Sequence, residues 1–281
     1  MLNSIKTGVL FVAMSVLLVV VGGAVGGEHG AILMFVISLA MNLFNYFFCD
    51  KLVIRAYGAR RADPAQYGWL YKILEDLSNR AQLAKIPDLY IVPMQEPNAF
   101  ATGRNEKKAV VAVTEGLLNT LTQDEIAGVI GHEIGHIKHR DILLQTFVAA
   151  MASAVMTIAR IAQWSAIFGG GRSSSRDGGN IFSLLATIIF APLAAALIQA
   201  GISRSREYMA DSYSKELLGT PEPLINGLYR LHNQPRKAIS GSEFASATAH
   251  MWIYPPKLSG FANLFSTHPS LEDRVRNLEK N

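Results

Sequence analysis

The chain has one cysteine, Cys49, among 281 residues, which excludes an internal disulfide and a thiolate zinc cluster. Charge is also scarce. Asp, Glu, Lys and Arg make up 17% of the residues against 50% hydrophobic ones. The mean hydropathy of +0.22 is too apolar for an ordinary soluble enzyme, so membrane segments are expected. The Gly- and Ser-rich stretch from Gly169 to Gly179 has no Gly-Lys-Ser/Thr ending, so it is not a phosphate-binding loop, and ATP is not an expected partner. No nucleic-acid recognition motif accompanies the net charge of +4. The basic residues instead flank apolar runs, where the positive-inside rule accounts for them.

Four such runs can be read. Thr7 to Val25 carries no charge and is long enough to cross a bilayer. A signal peptide is the rival reading, with Lys6 in front and small residues behind. A second run close behind, from about Ala31 to Cys49, weakens it. The link around Gly26, Glu28 and Gly30 has no Lys or Arg, whereas Lys51, Arg55, Arg60 and Arg61 follow the second run. That asymmetry puts the N-terminus and the segment after Asp50 in the cytoplasm. A third run extends from Ile142 to about Phe168 and includes Gln145, Arg160 and Gln163; a fourth, Ile181 to Ile202, contains Pro192. If both cross, Ser203 onward returns to the cytoplasmic side. A helical hairpin buried in a soluble core is the alternative for these two, because their lengths are marginal.

Between the second and third runs, Asp63-Pro64-Ala65-Gln66 opens a helix that ends near Leu83, with Tyr67, Leu70, Tyr71, Leu74 and Leu77 on one face. Leu89 to Val92, Asn98 to Thr102 and Ala109 to Thr114 read as strands of a small sheet. A strand at its edge could hold an extended peptide by backbone hydrogen bonds. Thr122-Gln123-Asp124-Glu125 is a capping box and starts a further helix. On it stands Gly131-His132-Glu133-Ile134-Gly135-His136. Residues four apart share a helix face, so His132 and His136 can offer two imidazole nitrogens to one ion. Glu133, one position off, can reach a water there without being a ligand. This is the arrangement a zinc hydrolase uses. Ile126, Val129, Ile130, Ile134 and Ile137 form a separate apolar stripe. Gly128, Gly131 and Gly135 each cost the helix up to about 1 kcal/mol against Ala, but let another backbone or a substrate approach closely. The bland alternative is two core histidines on an amphipathic helix.

A catalytic zinc site usually has three protein ligands plus water. His139 lies on the same face as His136, but the third ligand normally comes from a separate segment. A metzincin would need Gly where His139 stands and His where Ile142 stands, so that class is excluded. Glu207, in Ser203-Arg204-Ser205-Arg206-Glu207-Tyr208-Met209-Ala210-Asp211, is the better candidate. Asp211, one turn beyond, could accept the outer N–H of a zinc histidine. An exposed helix with Arg204, Arg206, Glu207 and Asp211 as solvated charges fits the spacing equally well. Pro221 to His232 and Pro269 to Glu279 read as two more helices. His268, just before the last, reads as a cap neighbour, a surface residue or a donor to a developing oxyanion.

His132-Glu133-x-x-His136, a pair of apolar runs, and Arg204-x-x-Glu207-x-x-Ala210-Asp211 resemble the M48 family of integral-membrane zinc metalloproteases. The likeness is closest to the HtpX branch of bacterial inner-membrane quality-control proteases. It covers nearly the whole chain, including Asn98-Ala99-Phe100-Ala101 and Thr267-His268-Pro269-Ser270. The CAAX prenyl protease branch shares the zinc motifs but resembles a larger protein with more spans. The resemblance implies one Zn²⁺ per chain on His132, His136 and Glu207, with Glu133 as the base. It implies that Asn98, Ala99, Phe100 and Ala101 align substrate, and that His268 and Arg274 border the active site. The expected fold is an α-helical membrane protein with about four transmembrane helices and an α+β zincin-like catalytic domain. Its divisions are a transmembrane hairpin (1–50), the sheet and zinc helix (51–141), a second hairpin (142–202) and the part with the third ligand (203–281). The expected activity is hydrolysis of cytoplasmic segments of misfolded or damaged membrane proteins, at a bacterial inner membrane with the catalytic domain facing the cytoplasm. Its partners are then protein substrates and the bilayer, with neither nucleic acid nor ATP. A non-catalytic zinc scaffold or holdase is the alternative; Glu133 argues against it, since a structural zinc site has no use for a base and favours four ligands. A transporter is disfavoured because Arg160 alone makes a poor ion path.

Overall fold

The computed structural model describes residues 2–151, 203–235, 248, 251–253 and 269–280. Helix α1 (Leu2–Ala56) is helical throughout, yet it is not one rod. Asn42 Nδ2 reaches Ser15 Oγ at 2.9 Å, although 27 residues of straight helix would hold them about 40 Å apart. The chain reverses at Gly27, whose φ of +60° is open to glycine at little steric cost. Near the turn, Gly22 and Gly30 lie so close that neither could carry a Cβ. The result is a helical hairpin.

Its second arm, Gly27–Ala56, is long and apolar enough to cross a membrane, with only 17% of its most apolar window buried. Val36, Leu39 and Leu43 are about 60% exposed, while Ser38 and Asn45 are buried. An outside more apolar than the inside suits lipid, where close packing and interhelical hydrogen bonds join helices. Of the four expected spans, this is the one helix among the described residues that meets both length and hydropathy. The expected third span begins as a helix, α5 (Ile142–Met151); residues 152–202, which hold the rest of it and the fourth, lie outside the described residues.

The chain after the hairpin forms a four-stranded mixed sheet: β1 (Arg60–Arg61), β2 (Asp88–Val92), β3 (Ala99–Thr102) and β4 (Val110–Thr114), in the order β1-β2-β4-β3. β2 and β4 run parallel, and the outer strands are antiparallel to their neighbours. β3 therefore forms one edge. The return from β3 passes through Gly103 at φ +139°, where a Cβ would collide with Lys108 and Ala109. α2 (Pro64–Arg80) packs Leu70, Leu74 and Leu77 into the core. Its Asp63 cap accepts from Ala65 N at 3.0 Å, and no return bond from Gln66 closes the box. A short helix, α3 (Glu115–Thr120), is capped by Thr114 Oγ1, which accepts from Leu117 N at 3.1 Å.

α4 (Gln123–Lys138) carries the His-Glu-x-x-His motif and has its full capping box at Thr122 and Glu125. The Glu125 carboxylate also pairs with Arg230 at 2.9 Å, tying the start of α4 to α7 (Glu222–His232). Along the other side runs α6 (Arg204–Leu218). Three glycines set that approach: a Cβ at Gly135 would meet the Ala210 backbone, one at Gly131 would meet Ser214, and one at Gly128 would meet Leu224. Ser214 Oγ donates to Gly128 O at 2.7 Å. Glu207, Ala210, Asp211 and Ser214 share one face of α6, so the contact that fits Ala210 and Ser214 against glycine also turns both carboxylates toward the histidines. α8 (Leu271–Lys280) closes the far side with Arg274, Val275 and Leu278 buried.

Candidate metal centre

His132, Glu133 and His136 are each less than 5% exposed, as is Glu207. The two imidazoles stand edge to face, with Nε2 atoms 3.1 Å apart. A Glu207 oxygen lies 3.7 Å from each Nε2. Among the described residues, this is the one cluster whose donor atoms lie within 4.8 Å of one another. His139 stands apart from it: it caps the C-terminus of α4, and its ring packs on Tyr213.

Each imidazole turns its other nitrogen to a carboxylate. His132 Nδ1 is 2.8 Å from Asp211 Oδ1, and His136 Nδ1 is 3.1 Å from Asp141 Oδ2. Carboxylates are acceptors, so an Nδ1–H on each ring is matched there, which turns both Nε2 atoms to the centre of the cluster. The donor set therefore suits a cation: two imidazoles and a carboxylate, converging in a buried site.

The charges around the cluster are unequal. Arg274 grips Asp211 as a fork, with Nε to Oδ2 at 2.9 Å and Nη2 to Oδ1 at 2.5 Å. Burial pushes the His132 pKa down, and Asp211 only partly offsets it. Burial acts the same way on His136, but there the charges of Asp141, Glu207 and Glu133 outweigh it and carry the pKa up to about 10. Burial raises the Glu133 carboxyl to about 8, with His136 opposing and the Glu207 charge adding. One oxygen of Glu133 accepts from Ala101 N, on β3, at 2.7 Å.

A short segment covers the cluster. Met251, Trp252 and Ile253, with Gln145, enclose it and leave a space of about 10 Å³, roughly one water. The cover is fastened at several points. Ile253 N donates to Asn98 Oδ1 at 3.2 Å, and Arg274 Nη1 donates to Ile253 O at 3.0 Å. Trp252 Nε1 donates to Tyr57 OH at 3.1 Å, beside Phe100.

A model of peptidase family M48 matches residues 64–281. The chain belongs to that family. It is 48% identical to a "Protease HtpX homolog" of Syntrophobacter fumaroxidans, over 97% of each chain. It is 45% identical to another of Pyrococcus furiosus, over 98% of this chain and 95% of that one. The crystal structure of S. mikatae Ste24p superposes with a TM-score of 0.52 at 19% identity, covering 99% of this chain but only 65% of that one. At that identity the likeness speaks for the fold alone. As an M48 peptidase, the chain is a metalloprotease, and the metal of the family is typically zinc.

In this M48 chain the structure brings His132, Glu133, His136, Glu207 and Asp211 together, with Arg274 against the His132–Asp211 pair. Asn98 to Ala101 lie beside them at the edge of the sheet, with Asn98 bonded to the cover and the Ala101 amide to Glu133. His268 lies outside the described residues. Sequence reasoning missed Asp141, Gln145 and the Met251–Ile253 segment. The last sits in a polar, weakly patterned stretch with no periodicity to mark it.

Proposed function

We propose that the chain is a membrane-embedded zinc endopeptidase in which His132, His136 and Glu207 hold the metal and Glu133 moves the protons. One observation carries this reading: two imidazole nitrogens 3.1 Å apart converge with a carboxylate whose oxygens lie 3.7 Å from them. Three donors that converge so closely in the interior are arranged to share one cation. Three protein ligands leave the open position that a catalytic site keeps. Zinc, when bound, would polarise the scissile carbonyl and lower the pKa of a water to about 7.

Glu133 takes the proton from the attacking water and delivers it to the leaving amine. The Ala101 amide holds one of its oxygens in place. Burial raises its carboxyl, which favours its taking up the proton that it must then return. We assign Asn98, Ala99, Phe100 and Ala101 to aligning an extended substrate along the β3 edge. Met251–Ile253 covers the metal cluster beside Asn98, so that segment must move for a peptide to reach the histidines. Arg274 is engaged by Asp211 and Ile253, which supports a part in holding the His132–Asp211 pair rather than in gripping substrate. The oxyanion donor assigned to His268 rests on the family resemblance.

The α1 hairpin is read as the first of two, dividing the chain into 1–50, 51–141, 142–202 and 203–281. The apolar exterior of α1 and the basic residues Lys51, Arg55, Arg60 and Arg61 support a multi-pass protein of a bacterial inner membrane, with its site facing the cytoplasm. Substrates are then cytoplasmic segments of misfolded or damaged membrane proteins. The competing reading, a non-catalytic zinc scaffold or holdase, leaves unexplained why a carboxylate is buried beside the donor set at all.

The test uses detergent-solubilised protein and casein, with and without a zinc chelator. Wild type cleaves and the chelator stops it. Glu133→Gln keeps its zinc and loses about 10²–10⁴-fold in rate. Wild-type cleavage by Glu133→Gln ends the assignment of the base, and no cleavage by wild type under any metal condition favours the scaffold.

A further inference from the structure

We propose that Asp141 is the positioning residue of His136, and that through it the metal site depends on the junction between α4 and α5. The proposal rests on the zinc reading above. Sequence spacing argues against the contact, because residues five apart on a continuous helix point about 140° away from each other. The chain makes the contact by leaving the helix. His139 N still bonds to Gly135 O at 2.9 Å. Arg140 then adopts φ +58°, a left-handed conformation that non-glycine residues rarely take. Asp141 N turns back to His136 O at 3.2 Å, and its Oδ2 arrives 3.1 Å from His136 Nδ1.

The simpler role for an aspartate at this place is a helix cap for α5. The bonding does not support that role. Only the backbone oxygen of Asp141 accepts from α5, from Gln145 N at 3.0 Å. Its Oδ1 is buried with no hydrogen bond among the described residues. A carboxylate 1% exposed, with one oxygen unmet and the other on an imidazole, is held where it is for that imidazole.

Asp211 is different. Arg274 holds both its oxygens, and His132 shares Oδ1. Among the described residues the Asp141 carboxylate has no such fork, although the charge of Arg206 on α6 interacts with it. Asp141 is therefore the acceptor that fixes the His136 tautomer and aims its Nε2 at Glu207. Without it, the Nδ1–H has no acceptor and the ring is free to change tautomer or turn.

The experiment measures zinc affinity of the full-length protein in detergent by chelator competition, alongside unfolding of the metal-free form. Asp141→Ala weakens zinc binding about 10–100-fold, more than any change in metal-free unfolding accounts for, and regains kcat with unaltered KM at saturating zinc. Asp141→Asn, which keeps an acceptor but loses the charge, falls between. Wild-type affinity in Asp141→Ala overturns the proposal, and so does a loss that merely follows a weakened metal-free fold. If Asp141→Ala does not fold, Asp141→Asn decides: weaker zinc binding with normal unfolding supports the role, and unchanged binding overturns it. His136→Ala is the control. If it binds zinc as wild type does, the metal site itself is wrong; if it does not, a null result at Asp141 counts against this inference alone.

Discussion

In α4, Ile126, Ile130, Ile134 and Ile137 are buried almost completely, and the two histidines that share the interior are each held by a carboxylate. In the second arm of α1 the arrangement is inverted. Val36, Leu39 and Leu43 face outward while Ser38 and Asn45 are inside. Both helices are rich in apolar residues, so composition does not separate them; the direction of the apolar face does. α4 is organised against water and α1 against hydrocarbon. Close contacts are where the two agree, since glycines admit neighbouring backbones to α4 and bring the arms of α1 together at Gly22 and Gly30, where Asn42 on Ser15 adds a polar tie.

The contrast can be broken most directly at Leu39, which is 60% exposed. If that face meets lipid, Leu39→Asp costs about 3 kcal/mol of insertion, and a smaller share of the protein resists alkaline extraction from the membrane fraction. If the face meets water, fractionation is unchanged.

The glycines give the next largest effect. A Cβ at Gly128 would lie 2.5 Å from Leu224 N. Gly128→Ala should therefore destabilise by about 2 kcal/mol through overpacking, read as a lower unfolding midpoint. Gly68, on α2, has nothing within 4 Å of a built Cβ, so Gly68→Ala should stabilise by up to about 1 kcal/mol. Equal effects at the two positions would remove the packing argument for how α6 and α7 reach α4.

The smallest effect is at the start of α4. Burial alone would raise the Glu125 carboxyl, but the Thr122 amide and Arg230 outweigh it and hold it below its usual 4.5. Its contribution is then complete above pH 4.5 and is lost as pH falls through the folded-state value. Glu125→Ala should cost about 1 kcal/mol at neutral pH and little in strong acid. Denaturant titrations at both pH values check this, and a cost that does not shrink on acidification would contradict the assigned ionisation.

Much of α4 was legible in the sequence because its signals are local: a capping box, a stripe of isoleucines, and two histidines one turn apart. The close approach at Gly128, Gly131 and Gly135 followed from the missing side chains, though not which backbone would arrive. β1 was not legible. Two residues carry no periodicity, and Arg60–Arg61 becomes a strand only by its register on Tyr90 and Ile91. α3 was too short to show a pattern. Asp141 was hidden because its contact with His136 depends on one left-handed residue, Arg140, which nothing in the residue type foretells. Glu207 lay between, since its spacing fitted a solvated helix equally well and only the packing of α6 on glycines buries it.

The central claim is that groups from α4 and α6 hold one zinc ion between them. Elemental analysis of purified wild type and Glu207→Ala tests it most directly. The account predicts about one zinc per wild-type chain and a large loss of tightly held metal in Glu207→Ala with the fold retained; no metal in wild type, or full occupancy in the variant, would contradict it.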